Sequence, residues 1–188
     1  MGRVTNRNDH YQHCERAAAL VAANALWAWN EADFIREAPL AGALAEVTLA
    51  ARPPATPEDL ARAQEIEDRL AAGQPVLMGE RSFQRRVRRF EATPPTAHTT
   101  VVQALRIGDL ALVSAPGELF VELGLEIKRR SPFAQTMVLE LGNDSVGYIP
   151  TARAFEEGAY EPNSTPYMPG FGEQIVEAAV GLLEGLKG

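Results

Sequence analysis

Leu110-Ala111-Leu112-Val113-Ser114-Ala115-Pro116-Gly117-Glu118-Leu119-Phe120 is a short apolar run that ends in a turn and delivers a carboxylate. Leu110–Ser114 shows no polar alternation, which predicts a strand buried on both faces. Pro116 suits the first position of a helix, so a helix is expected over about 117–130, with Glu118 in its first turn. Lys128-Arg129-Arg130 would close that helix at its negative end. Upstream, Gly108-Asp109 is a turn signal between residues 99–106 and Leu110–Ser114, which predicts a hairpin. Downstream, residues 136–141 read as the next strand, its apolar part at 137–141 again without alternation, and Gly147-Tyr148-Ile149-Pro150-Thr151 lies just beyond it. Ligands of open α/β sheets bind beyond the carboxyl ends of strands. Glu118 and Tyr148 are therefore expected on one edge of one sheet.

The rest of the chain supplies helices to flank that sheet. Residues 11–32 are alanine-rich, with Leu20, Ala23 and Trp27 at helical spacing, and Trp27 and Trp29 read as core anchors. Residues 47–50 form a possible short strand, and Arg52-Pro53-Pro54 ends regular structure. Thr56-Pro57-Glu58-Asp59 is a helix start, with a capping threonine, an early proline and acids at the positive end. That helix runs to about Ala72, where Gly73 stops it. A second helix over about 80–91 carries Arg81, Arg85, Arg86, Arg88 and Arg89, expected as a solvated face, with contact to an anionic lipid headgroup as the sharper reading. Residues 93–98 are a linker, so 52–97 reads as a peripheral helical insert. Residues 143–169 are a long loop with one helical turn near 152–157, a length that marks either a functional loop or a disordered one. Residues 172–186 close the chain as a helix. The expected architecture is α/β, a mixed sheet flanked by helices in a single domain over 1–188, forming an incomplete half of a larger catalytic domain.

Composition excludes several classes. Apolar content of 46% and charged content of 23% belong to a globular chain. A net charge of −7 argues against nucleic acid as a main partner. One cysteine, Cys14, excludes an intramolecular disulfide framework. No apolar run reaches the length of a transmembrane segment. Residues 1–12 carry no signal-peptide core, and no compartment is fixed.

Taken alone, Glu118 reads as a carboxylate that satisfies free amides at a helix start, and Tyr148 as a core aromatic. His10, His13 and Cys14 have spacing that can bind zinc, but His10 precedes the expected helix, and exposed terminal histidines are the simpler reading. Ser164-Thr165 has no base placed for it, and the Gly-x-Ser-x-Gly and phosphate-loop patterns are absent.

Taken in order, Ile107-Gly108-Asp109, Pro116-Gly117-Glu118, Asn143, Tyr148-Ile149-Pro150-Thr151, Tyr160-Glu161, Ser164-Thr165 and Tyr167 form a set. Residues 103–167 with this set resemble the C-terminal half of the catalytic domain of the neutral/alkaline non-lysosomal ceramidases, the shorter bacterial members above all. The resemblance implies hydrolysis of the amide of N-acylsphingosine, or a related lipid amide, by a water activated on one Zn²⁺. It implies a zinc held by two histidines, a glutamate at Glu118 and a tyrosine at Tyr148. It places a catalytic tyrosine that aids the amide carbonyl at Tyr160, and a substrate-binding tyrosine at Tyr167. The family's two histidines and its Gly-Asp-Ser-like segment belong to its N-terminal half. His10, His13 and His98 lack the family's surrounding motif. The expectation is a portion of a zinc amidohydrolase whose site is incomplete in this chain, partnered by the missing half or by a second copy. A non-catalytic α/β binding or assembly module of the same descent is the alternative, and an enzyme acting on another lipid or acyl substrate is a third.

Overall fold

A computed structural model describes residues 7–33 and 36–187, with side chains from Tyr11 onward. The described residues fall into two compact units, one up to Ala38 and one from Pro39. The first unit is α1 (Arg7–Glu31). Its alanines favour helix intrinsically, and every side chain described along it is exposed. Trp27 and Trp29 are each 66% exposed, so they are not the core anchors that the sequence suggests. The helix starts before His10 rather than after it, which puts His10 and His13 one turn apart. His13 and Cys14 are exposed, and the side chain of His10 lies outside the described residues.

The second unit holds β1 (Leu40–Leu49), α2 (Pro57–Ala71), α3 (Met78–Ala92), β2 (His98–Ile107), β3 (Leu110–Ser114), β4 (Glu118–Leu119) and α4 (Val121–Arg130). It continues with β5 (Gln135–Leu139), β6 (Tyr148–Ile149), α5 (Ala152–Glu157), α6 (Tyr160–Ser164) and α7 (Phe171–Lys187). The main sheet has the order β1-β2-β3-β5. β1/β2 and β2/β3 are antiparallel, and β3/β5 is parallel. The molecule is thus α/β with a mixed sheet, as expected. β1 is longer than residues 47–50. Its alanines and glycine carry little strand propensity, and a ten-residue register from Leu40↔Ile107 to Leu49↔His98 imposes the extended form.

One face of the sheet is covered by α7 and α4. Leu49, Val102, Ala104, Ala111 and Val113 point into that core, against Ile175, Ala179 and Leu183 of α7. Burying Ile175 or Leu183 completely contributes on the order of 2 kcal/mol each. Within this unit the other face is left uncovered, which corrects the expectation of strands buried on both sides. Gly42, Leu105, Leu112 and Met137 stand in register across all four strands. Leu44, Leu105, Ile107, Met137 and Leu139 are all exposed. The apolar run misleads because β3 needs only one buried face, and Leu110 and Leu112 occupy the other at intermediate exposure.

The segment 52–97 is a helical hairpin. Thr56 Oγ1 accepts from the Asp59 N–H at 3.1 Å, and Asp59 accepts from the Thr56 N–H at 3.1 Å, a reciprocal cap. Arg88 holds α3 to α2 through Glu67. Hydrogen bonds from Arg88 and then Gln84 hold the Glu67 carboxyl down at about 2. The arginine face of α3 is not simply solvated, however, because Arg86 is buried.

Candidate active site

The expected helix over 117–130 begins later than its proline cue suggests. Glu118 and Leu119 are a strand, and α4 starts at Val121. Glu118 is therefore not a carboxylate in a helix's first turn. β4 follows β3 and β6 follows β5, so both leave the same end of the parallel pair. The two connections are laced together. The Ala115 N–H donates to Leu139 O at 2.8 Å, Gly142 N–H to Ala115 O at 3.0 Å, and Val146 N–H to Pro116 O at 2.8 Å. The pairing then continues with Glu118 N–H to Gly147 O at 2.9 Å and Phe120 N–H to Ile149 O at 3.1 Å. In this second, parallel two-stranded sheet, Glu118 stands directly opposite Tyr148.

Two glycines make that approach possible. A Cβ on Gly117 would collide with the carbonyl oxygen of Gly147, and Gly147 itself has φ +79°. Nearby, Leu141 (φ 55°) and Asn143 (φ 68°) take left-handed conformations. For leucine this is an outlier, and such strain is retained only where surrounding bonds enforce it. Here the Leu141 N–H donates to Gly117 O at 3.2 Å, and Asn143 Nδ2 donates to Ser114 Oγ at 3.0 Å.

The side chains meet at this edge. Glu118 is exposed and Tyr148 half-buried. The negative charge of Glu118, first of all, pushes the Tyr148 phenol above its ordinary range. Burial comes next, followed by Tyr160, Glu161 and a hydrogen bond to the same carboxylate. The rings of Tyr148 and Tyr160 pack edge-on, with centroids 5.8 Å apart. Glu118, Tyr148 and Tyr160 thus form one surface: a carboxylate acceptor, a phenol held protonated beside it, and a second phenol on the rim. Replacing Glu118 with glutamine is expected to bring the Tyr148 pKa back down towards about 10. The sign follows because loss of the neighbouring negative charge makes tyrosinate easier to form. Tyrosinate absorbance during alkaline titration checks it, and an unchanged curve would separate the two residues.

Tyr167 makes its contacts with a different set of residues. It is 8% exposed, bridges Ala51 in antiparallel fashion, and makes its ring contacts with Phe171 at 5.4 Å and His98 at 6.5 Å. Burial first and the charge of Asp144 second raise its phenol pKa. A further cluster escaped the sequence reading: His98 Nε2 lies 2.7 Å from Asp144 Oδ2, which also accepts from Thr100 Oγ1 at 2.8 Å. These bonds from His98, Thr100 and the Ser145 N–H lower the Asp144 pKa. Partners 46 residues apart leave no local signal in the sequence.

Zinc can be tested against these residues. Glu118 and Tyr148 offer two oxygen donors, whereas a catalytic zinc takes three protein ligands. Among the described residues, no group of three His, Cys, Asp or Glu side chains is placed to hold a metal ion. The described residues by themselves do not fit a zinc centre. No helix among them is long and apolar enough to cross a membrane.

Solved structures similar to this chain include two ceramidases. One is a ceramidase complexed with C2, with 26% identity over 50% of this chain and 15% of the other, and a TM-score of 0.45. The second is the neutral ceramidase from Pseudomonas aeruginosa, with 20% identity over 78% of this chain and 29% of the other, and a TM-score of 0.47. The chain spans less than a third of the length of either. No family model and no curated protein matches it.

Proposed function

We propose that this chain is the C-terminal portion of a ceramidase-like amide hydrolase, acting on the amide of an N-acylsphingosine or a related lipid amide. The observation that carries the proposal is the Glu118–Tyr148 register. Two residues that the family resemblance marks as ligands, thirty positions apart, stand opposite each other at the carboxyl ends of β3 and β5, with Tyr160 against Tyr148. In this proposal Glu118 and Tyr148 would supply two of the ligands of a Zn²⁺ ion, and two histidines that these residues do not supply would complete its site. Tyr160, 37% exposed on the rim, is suited to donate its hydroxyl to the amide carbonyl oxygen as charge develops there. One such donor is commonly worth roughly 3 kcal/mol. The open apolar face supports the same reading, since a sheet with Leu105 and Met137 in water is one that packs against further structure.

The lack of a third metal donor among the described residues favours a second reading, a binding or assembly module that has lost catalysis. Assay of the purified 188-residue chain with ceramide and added Zn²⁺ bears on both. The expected result is no amide hydrolysis above background. Robust turnover that disappears in Glu118→Ala would mean that the chain holds a complete site, and would overturn the idea of a shared one. The coding sequence immediately upstream of Met1 separates the two readings. An open frame bearing the histidine motifs supports the shared hydrolase, and a frame closed by a stop codon supports the module.

A further inference from the structure

Arg85, Arg86 and Arg89 line a cavity of about 230 Å³ between α3 and α6. Among the described residues, no aspartate or glutamate lines it. This differs from Arg88 on the same helix, which is neutralised by Glu67 and Glu91. Arg86 is only 9% exposed, and its Nε is buried without a hydrogen-bond partner. Its guanidinium rests over the rings of Phe83 and Phe90, at 5.2 and 5.5 Å, rather than on an acceptor. Arg89 donates once, to Ser164 O at 3.0 Å. The other polar groups around the cavity are occupied in holding local backbone. Ser82 Oγ donates to Met78 O, Asn163 Nδ2 to Gly158 O and Ala159 O, and Ser164 Oγ to Tyr160 O. What remains for a ligand is guanidinium, with the Tyr160 hydroxyl beside it.

Burial, together with the charges of Arg52 and Arg89, outweighs the favour that Asp59 lends the Arg86 cation by charge alone; a buried cation without an acceptor is unfavourable unless an anion completes the site. We propose that this cavity binds a phosphate-class oxyanion, either free phosphate or a phosphate monoester. Guanidinium forks match phosphate oxygens bidentately. Three arginines leave a carboxylate's single charge outnumbered, whereas a phosphoryl dianion engages two or more forks. The volume lies below the roughly 300–1,000 Å³ of pockets that enclose drug-sized ligands. It accepts a headgroup and not an acyl chain. Tyr160 also lines the cavity, which joins it to the Tyr148 edge, but the anion site does not depend on amide chemistry.

The test is calorimetric titration of the full 188-residue chain with inorganic phosphate at low ionic strength. One saturable site is expected, weakened about tenfold or more in Arg85→Gln, where a charged hydrogen-bond donor on an exposed side chain is lost. Arg86→Gln should abolish binding, with circular dichroism reporting whether that protein is folded. Because Arg85 is exposed, the Arg85 variant decides the matter even if the other does not fold. Arg81→Gln, the same charge change on the same helix but outside the cavity, should leave affinity within about twofold. Absence of saturable binding, or equal weakening by Arg81→Gln, overturns the proposal. Sedimentation with phosphatidylcholine vesicles, with and without phosphatidic acid, identifies the source. Phosphatidic-acid-dependent binding that glycerol phosphate displaces marks a lipid headgroup. Phosphate binding without sedimentation marks a soluble phosphate ester.

Discussion

Replacing Gly117 with alanine is expected to destabilise the protein by about 3 kcal/mol, the upper end of what overpacking a tight site costs. The added methyl would sit inside van der Waals contact with the carbonyl oxygen of Gly147, and 3.1 Å from both Ile149 Cδ1 and Val146 Cγ2. Side chains can yield by rotation, but the carbonyl belongs to the backbone that pairs β4 with β6 and cannot. Relief therefore requires the two strands to part, and Glu118 moves away from Tyr148. Gly181 in α7 is the control, because a Cβ there meets nothing within 4 Å. Its replacement by alanine should be neutral or stabilising by up to about 1 kcal/mol, the helix-propensity difference. Urea unfolding of both variants measures the contrast. A Gly117→Ala protein as stable as the parent, with an unshifted Tyr148 titration, would contradict the close approach.

The purified chain is expected to self-associate at micromolar concentration. The open face presents Leu44, Leu105, Ile107, Met137 and Leu139 to water, and β1 and β5 end the sheet at edges with no partner strand among the described residues. Contiguous apolar surface of this kind, beside free strand edges, drives association in isolation. Light scattering should show a mass above that of one chain. The double variant Leu105→Lys, Met137→Lys should return the mass to a monomer, because two positive charges then stand in one row of the open face, on β2 and β5 with β3 between them. A monodisperse monomer of high thermal stability from the unmodified chain would contradict this. It would favour a self-sufficient module.

Local chemistry was the legible part of this fold. The Thr56 cap, the Gly108-Asp109 hairpin and the closing helix are each specified by residues adjacent in sequence, and each stands within a few positions of its expected bounds. Long-range pairing was the illegible part. Pro116 announces a helix, but hydrogen bonds from Glu118 and Phe120 to Gly147 and Ile149 convert the next residues to strand. β1 is extended because β2 is there to pair with it, and Arg86 is buried because α6 closes over α3. Trp27 and Trp29 carry an anchor's composition without an anchor's burial. At the candidate site, the convergence of Glu118 and Tyr148 followed from their matching places after two strands. Tyr167 was placed by resemblance, and its own contacts lie with His98 and Phe171.

The most direct measurement is ceramide hydrolysis by the protein as its native producer makes it, with whatever it is joined or bound to, compared with the same preparation carrying Glu118→Ala. The expected result is hydrolysis in the first and a loss of about 100-fold or more in the second, the scale on which one essential catalytic group acts. Hydrolysis that survives Glu118→Ala, or none in either preparation, would contradict a hydrolytic site built on Glu118 and Tyr148.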